Sequence, residues 1–310
     1  PSPRVFAPSS LMIVSSMRFS QVSDYYRNVG LQLQNFKEFR KHVKRVQMKM
    51  NVVCVHDSTA RNVTEIVARS HERLLGVSTS VLVNPRMFNK FIFVSEALHD
   101  FEVFEKVLLL DSDMDLMGFA IPEYFELVAN YVIGGTVHQN VDEMLSKNYD
   151  KASRQWFKIF NGAWWQNHAP DVLMFETKFV EQAFVLMDAR FAQWFFTRIL
   201  SEKHLFFTDK AGIKRQRQSD FGPDLLWCGA AKEWLQTQHS VWWSKPCAVS
   251  TFPIYHTDDR QLEMRSSGDL SNANERAWVQ RRTLNLYRKH FERWYAYSSE
   301  FVRQVGGKVV

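Results

Sequence analysis

The chain carries only three cysteines in 310 residues, Cys54, Cys228 and Cys247. That is too few for a disulfide framework, and an odd number cannot all pair within one molecule. Cys54 lies in an apolar stretch and reads as a buried thiol. Cys228 and Cys247 can form one bridge, and sequence leaves open whether they do. The chain also lacks a run of roughly 18 apolar residues, the length of a membrane span, and shows no signal peptide. It begins at Pro1 without Met, so we expect an upstream targeting or anchor segment to have been cut away. Internal repeats and low-complexity tracts are missing, which excludes solenoids and fibrous arrays. Charge of one sign is not concentrated: 39 Lys and Arg are interspersed with 33 Asp and Glu for a net +6. Without a basic stripe, nucleic acid is not an expected partner. The longest basic group, Lys214-Arg215-Gln216-Arg217, reads either as a mobile loop near an anionic ligand or as a plain solvated loop.

What is present is a core-forming composition, 45% hydrophobic, enough for one large α/β domain or two small ones. Ser10 to Ser15 fits a first strand and Leu31 to Met48 has apolar residues at helical spacing. Asn51 to His56 reads as a second strand, Asn62 to Leu75 as a helix, Val77 to Val83 as a third strand and Met87 to His99 as another helix. The alternation predicts a doubly wound, mostly parallel sheet with right-handed crossovers. Further on, Ile121 to Leu127 reads as a helix, Tyr131 to Gly135 and Asp171 to Phe175 as strands, and Leu225 to Gln236 as a helix. Apolar positions from Trp278 to Phe301 suggest one or two amphipathic helices. The expected division is one large α/β domain over 1–270 and a C-terminal helical extension over 271–310 packed on it.

The most informative stretch is Phe104-Glu105-Lys106-Val107-Leu108-Leu109-Leu110-Asp111-Ser112-Asp113-Met114-Asp115. Four consecutive apolar residues fit a strand covered on both faces, and ligands of open α/β sheets bind at carboxyl ends of strands. Asp111, Asp113 and Asp115 would share one side if the chain stayed extended. Carboxylates that close repel unless a cation sits between them, and Mg²⁺ or Mn²⁺ takes such oxygen ligands while bridging to phosphate. The plain alternative is an acidic loop without a ligand.

With its Asp-x-Asp after an apolar strand and the preceding Phe104-Glu105-Lys106-Val107, the chain resembles the glycosyltransferases of the GT-A type, within them the glycogenin-like (family 8-like) group. The resemblance implies a Rossmann-like nucleotide-sugar transferase fold. It also implies a donor, first of all a UDP-sugar, whose diphosphate is held by Mn²⁺ or Mg²⁺ on Asp111 and Asp113. A His in the region of Pro253-Ile254-Tyr255-His256-Thr257 completes the metal site in such enzymes, so His256 is the candidate third ligand; a surface His beside Asp258 and Asp259 is the alternative. Tyr26, in Ser23-Asp24-Tyr25-Tyr26, matches an aromatic that stacks on the nucleotide base. Lys90, or nearby Arg86, matches a basic residue that neutralises phosphate, and Ser112 joins them as a donor-binding candidate.

The strand that lines the donor sugar in the family begins Asn-small-Gly; here Ala169 and Asp171 stand at those positions. Asp171 either accepts from two sugar hydroxyls at once or is a plain polar residue at the end of a helix or strand. A further landmark of the family is an Asp followed by apolar residues at the opening of a helix, in contact with the sugar; in Ser219-Asp220-Phe221-Gly222-Pro223-Asp224-Leu225-Leu226-Trp227 the resemblance makes Asp220 and Asp224 candidates to position the acceptor or act as base, against a plain helix N-cap. The aromatic insertion Ser153 to Pro170 and the doubled Trp164-Trp165 and Trp242-Trp243 offer surfaces on which sugars stack, or core packing.

The expected function is thus metal-dependent transfer of a hexose from a nucleoside diphosphate sugar to a hydroxyl of a glycan or protein, with retention of configuration if the glycogenin-like mechanism holds. Two rival classes are a non-catalytic binding module on the same fold and a haloacid-dehalogenase-like phosphotransferase, in which the first Asp would be a nucleophile. The sequon Asn62-Val63-Thr64 suits a Golgi or ER lumenal enzyme whose signal-anchor was removed; the cytoplasm is the alternative.

Overall fold

The computed structural model describes residues 7–19, 22–54, 61–64, 77–83, 90–98, 104–140, 172–200, 206–208, 214–216, 222–237, 244–256 and 284–304. Its centre is a mixed sheet in the order β3-β2-β1-β4-β8-β6-β11-β5, with β7 also paired to β11. The strands are β1 (Ser10–Phe19), β2 (Arg45–Cys54), β3 (Ser78–Val83), β4 (Lys106–Asp111), β5 (Met114–Asp115), β6 (Tyr131–Asn140), β7 (Met174–Glu176), β8 (Phe184–Asp188) and β11 (Lys245–His256). Six run in one direction; β5, β7 and β8 oppose them. The expected α/β fold class, a mostly parallel sheet flanked by helices, is the one observed.

Burial on both faces explains the unbroken apolar run of β4. Val107 and Leu109 join one core cluster, Leu108 and Leu110 the other, and none is more than 4% exposed. Each such side chain contributes about 1.5–3 kcal/mol relative to exposure. α1 (Val22–His42) and α3 (Ile121–Val128) cover the Leu108 face through Phe36, Phe39, Tyr124 and Phe125. The Val107 face is covered by α2 (Lys90–Ala97), by α4 (Ala189–Gln193) with its π-helical continuation Trp194–Ile199, and by α5 (Asp224–Thr237). Residues 284–290 are helical and α6 (Glu292–Gln304) follows. α6 lies so close to α5 that a Cβ at Gly229 would stand 2.6 Å from Trp294 Cα.

Several sequence expectations move. The helix read over Leu31 to Met48 ends at His42, and Arg45 to Met48 belong to β2. Met48, Met50, Val52 and Cys54 alternate into one cluster, so the period there is 2, and the helix-forming Lys, Gln and Met hid it. The basic group Lys214–Gln216 is not a loop: it forms β10, antiparallel to β9 (Phe206–Thr208). The central antiparallel strand β8 and the long β11 have no counterpart among the strands the sequence patterns predict. β11 is interrupted by a register shift between Ser250 and Ile254, around Pro253, which has no N–H to give the ladder. Asn62 to Leu75, Val55-His56, the aromatic insertion with Trp164-Trp165, and Trp242-Trp243 lie wholly or mostly outside the described residues. Cys228 and Cys247 are bridged, tying α5 to β11, while Cys54 is a buried free thiol whose pKa burial pushes up to about 11.

Candidate functional site

Parallel strands deliver their carboxyl ends to one edge of the sheet, and there β4 ends in Asp111. The backbone N–H of Asp111 donates to Ala183 O at 2.8 Å, just before β8 begins. Its Oδ1 accepts from Lys90 Nζ at 2.7 Å; Lys90 opens α2 and its side chain is 11% exposed. The chain then turns at Ser112 and Asp113 instead of staying extended, so the three carboxylates do not form the single row that an extended strand would give. Asp115 Oδ1 instead accepts from Met117 N–H at 2.8 Å.

A turn of this kind has few backbone partners of its own, and α1 supplies them. Gln32 Nε2 donates to the carbonyls of Asp111 (3.1 Å) and Ser112 (3.0 Å). Asn35 Nδ2 donates to Met114 O at 2.7 Å, and its Oδ1 accepts from Leu116 N–H at 3.3 Å. Asn28, Gln32 and Asn35 stand at i, i+4 and i+7, one helix face, and each is at most 1% exposed. Sequence reasoning missed all three, although amides at that spacing on an otherwise apolar face were a legible signal.

On the other side of the turn, β5 pairs antiparallel with the end of β11. Met114 stands opposite His256 and Asp115 opposite Tyr255. Register thus brings the backbone of His256 beside the acidic turn from 142 residues away in sequence (256 − 114); its side chain lies outside the described residues. Among the described residues, no three His, Cys, Asp or Glu side chains converge to hold a metal.

Asp224 is the first residue of α5, delivered inward by Gly222-Pro223 with Gly222 at φ 110°. It is 5% exposed, and its carboxyl is pushed from the ordinary 3.8 up to about 7. Burial is the largest cause and the charge of Glu181 the next; Lys90 and the N–H of Leu225, which donates to Oδ1 at 3.1 Å, pull the other way. Lys90 therefore acts on both Asp111 and Asp224. Glu181 had no sequence signal: nothing in Lys178-Phe179-Val180-Glu181-Gln182 marks it. Tyr26 is 57% exposed near the start of α1, and Ser112 is buried. Arg86, Asp171 and Asp220 lie outside the described residues.

No protein-family model matches the chain, and no curated protein matches it. Solved structures similar to it include S. aureus TarS 1–349, at 11% identity over 97% of this chain and 76% of that one, with a TM-score of 0.42. GalNAc-T7 with UDP, GalNAc and Mn²⁺ is similar at 10% identity over 97% of this chain and 55% of that one, TM-score 0.47. Mouse xyloside xylosyltransferase 1 in its apo form follows at 14% identity over 82% and 99%, TM-score 0.32. At these values the likenesses assign no activity.

Proposed function

We propose that the chain is a metal-dependent glycosyltransferase of the GT-A type that transfers a hexose from a nucleoside diphosphate sugar, first of all a UDP-sugar, to a hydroxyl of a glycan or glycoprotein. The observation that carries this reading is the acidic turn at the carboxyl end of β4, braced by Gln32 and Asn35 on one side and β11 on the other, with Lys90 bound to Asp111. A plain acidic surface loop needs no such bracing, since its carboxylates are better left in water.

One observation supports a divalent cation there: strand register draws the backbone of His256 to the turn that carries Asp111 and Asp113. Two carboxylates and an imidazole are a donor set that Mn²⁺ accepts, with Mg²⁺ the alternative. Bound there, the cation would neutralise the leaving diphosphate as a Lewis acid. Lys90 adds a fixed positive charge at the same spot, and Arg86 is its neighbour in sequence. In this reading Tyr26 stacks on the base, Ser112 borders the diphosphate, and Asp171 and Asp220 work with Asp224 on the sugar and the acceptor. Retention of configuration, and the division into a catalytic domain over 1–270 with a helical extension over 271–310, belong to the same proposal.

The Cys228–Cys247 bridge supports an oxidising compartment, the ER or Golgi lumen. Exposure of Asn62 in its sequon agrees with that location. The test of the transferase reading is the thermal midpoint with UDP- and GDP-sugars, each with Mn²⁺ and with EDTA. A metal-dependent rise with one nucleotide supports it, because a ligand that binds only the folded state raises the midpoint. No rise with any of them overturns it.

A further inference from the structure

Two points of close approach join α5 and its entry turn to residues 284–304. A Cβ at Gly222 would stand 2.9 Å from Tyr287 Cδ2, 3.1 Å from its Cε2 and 3.2 Å from Leu284 Cδ2. At Gly229 it would stand 2.6 Å from Trp294 Cα and 3.0 Å from Trp294 O. Gly222 and Gly229 are seven residues apart, and so are Tyr287 and Trp294. Seven residues are about two turns of helix, so the glycines form two notches in one line and the C-terminal segment fits both. Hydrogen bonds from Phe291 N to Tyr287 O at 2.8 Å and from Tyr295 N to Phe291 O at 2.9 Å carry that segment from one contact to the other. Phe291 stacks on Trp294 with ring centroids 5.2 Å apart, and Trp294 Nε1 donates to Glu233 Oε2 at 2.8 Å.

The double fit sets the place of α5 along its axis. A slide of one turn would put Leu225 or Glu233 where Gly229 stands, and neither side chain leaves room for the Trp294 backbone. Toward the sheet, Trp227 Nε1 donates to Val180 O at 3.0 Å and the Cys228–Cys247 bridge ties the helix to β11. Further along the Val180 stretch, Ala183 O accepts from the Asp111 N–H at 2.8 Å, so α5 is referred to the tip of β4. Leu225 N–H donates both to Gly222 O at 3.0 Å and to Asp224 Oδ1 at 3.1 Å, so what holds Gly222 holds the Asp224 carboxyl. We propose that Tyr287 is a positioning residue of the site: its ring, seated on Gly222 while Trp294 sits on Gly229, fixes where Asp224 stands relative to the acidic turn. Residues 284–304 are then part of the frame that presents Asp224 to the sugar. The role on the sugar rests on the transferase reading; the seating of Asp224 by Tyr287 does not.

The nucleotide-free experiment reads the carboxyl itself. Burial is the largest cause of its rise from 3.8 to about 7, Glu181 adds to it, and Lys90 and the Leu225 N–H oppose it. A carboxyl raised in this way stabilises the fold fully below about pH 4, and that contribution is lost as pH rises to about 7. The thermal midpoint of the full chain is followed from pH 4 to pH 9 for the unaltered chain, Tyr287→Leu and Tyr287→Phe. Phe39→Leu, in the core beneath α1, is the control for lost packing alone. Tyr287→Leu takes the ring off Gly222, so the decline between pH 4 and 7 should flatten as Asp224 regains water. Tyr287→Phe keeps the ring carbons that touch Gly222 and should keep the decline, while Phe39→Leu should lower the whole curve without changing its shape. A Tyr287→Leu curve of unaltered shape overturns the proposal, and so does a Tyr287→Phe curve as flat as that of Tyr287→Leu. Near-UV circular dichroism reports folding, and Tyr287→Met takes the place of Tyr287→Leu if the latter does not fold.

A second arm compares UDP with Mn²⁺ against the UDP-sugar that most raises the unaltered midpoint, also with Mn²⁺. In Tyr287→Leu the rise given by UDP should persist, because the acidic turn and Lys90 are untouched. The further rise given by the sugar should be lost, and Tyr287→Phe should restore it. Loss of both rises together, survival of both, or a sugar that adds nothing to UDP in the unaltered chain overturns the role on the sugar. Absence of any rise in the unaltered chain sinks the transferase reading instead, and the nucleotide-free arm then decides the seating of Asp224.

Discussion

Asn35 completes β5: its amide nitrogen donates to Met114 O at 2.7 Å and its oxygen accepts from Leu116 N–H, so one side chain stands in for a neighbouring strand. The other edge of the same two-residue strand is bonded to Tyr255 and His256. A strand this short does not hold its shape alone, and Asn35 fixes which way the acidic turn leaves β4. Replacing it by Ala leaves a buried carbonyl and a buried N–H unpaired, at about 1–3 kcal/mol each. Asn35→Ala should lower the denaturant midpoint by a corresponding amount and abolish the Mn²⁺-dependent response to donor. Gln, one methylene longer, should not restore either.

Asp113→Ala should separate binding from folding. Asp113 sits in the turn and is half-exposed, so its loss should change stability by no more than about 0.5 kcal/mol, as for most surface positions. The metal-dependent rise with nucleotide sugar should vanish. A rise that survives would remove Asp113 from the metal site.

Lys90→Met takes a charge away from two carboxyls. The 2.7 Å pair with Asp111 is lost, about 1–3 kcal/mol for a hydrogen bond between charged groups that is largely shielded from water. Asp224 also loses the cation that lowers its pKa, so the decline of stability with pH should extend further above pH 7 than in the unaltered chain. Thermal midpoints across pH 6 to 9 measure both effects.

Gly222→Ala should displace Asp224. The residue sits at φ 110°, where side chains are strained, and an added Cβ would meet Tyr287 Cδ2 at 2.9 Å. The cost should be about 1–3 kcal/mol. If the turn relaxes, the decline of stability with pH should weaken as Asp224 regains water.

Reduction of Cys228–Cys247, or the double change to Ala, should lower stability by about 3 kcal/mol, the scale for closing a loop with a sequence separation of 19. Helix content should persist in circular dichroism, because α5 is packed along its apolar residues as well as tied to β11. In a secretory host, mass spectrometry before and after peptide-N-glycosidase should find a glycan at Asn62, absent in Asn62→Gln. An unmodified Asn62 would argue against the lumenal location.

The sequence by itself determined strands β1 to β4 with α1 and α2 among them, the doubly buried β4 and the acidic turn at its end. Each is a local pattern: an apolar run, a period, three acidic residues at alternate positions. Where a local pattern was ambiguous the reading slipped. Arg45 to Met48 look helical by composition, and only pairing with β1 makes them a strand. The tertiary structure alone decided what surrounds the turn. Asn35 and Gln32 reach it because α1 packs over β1 and β2 and against β5; His256 arrives by the register of β11 on β5; the stretch that carries Glu181 is tied to α5 and to the end of β4 by hydrogen bonds at Val180 and Ala183. Those partners are distant in sequence, and strand order and register, which no local pattern encodes, set them side by side.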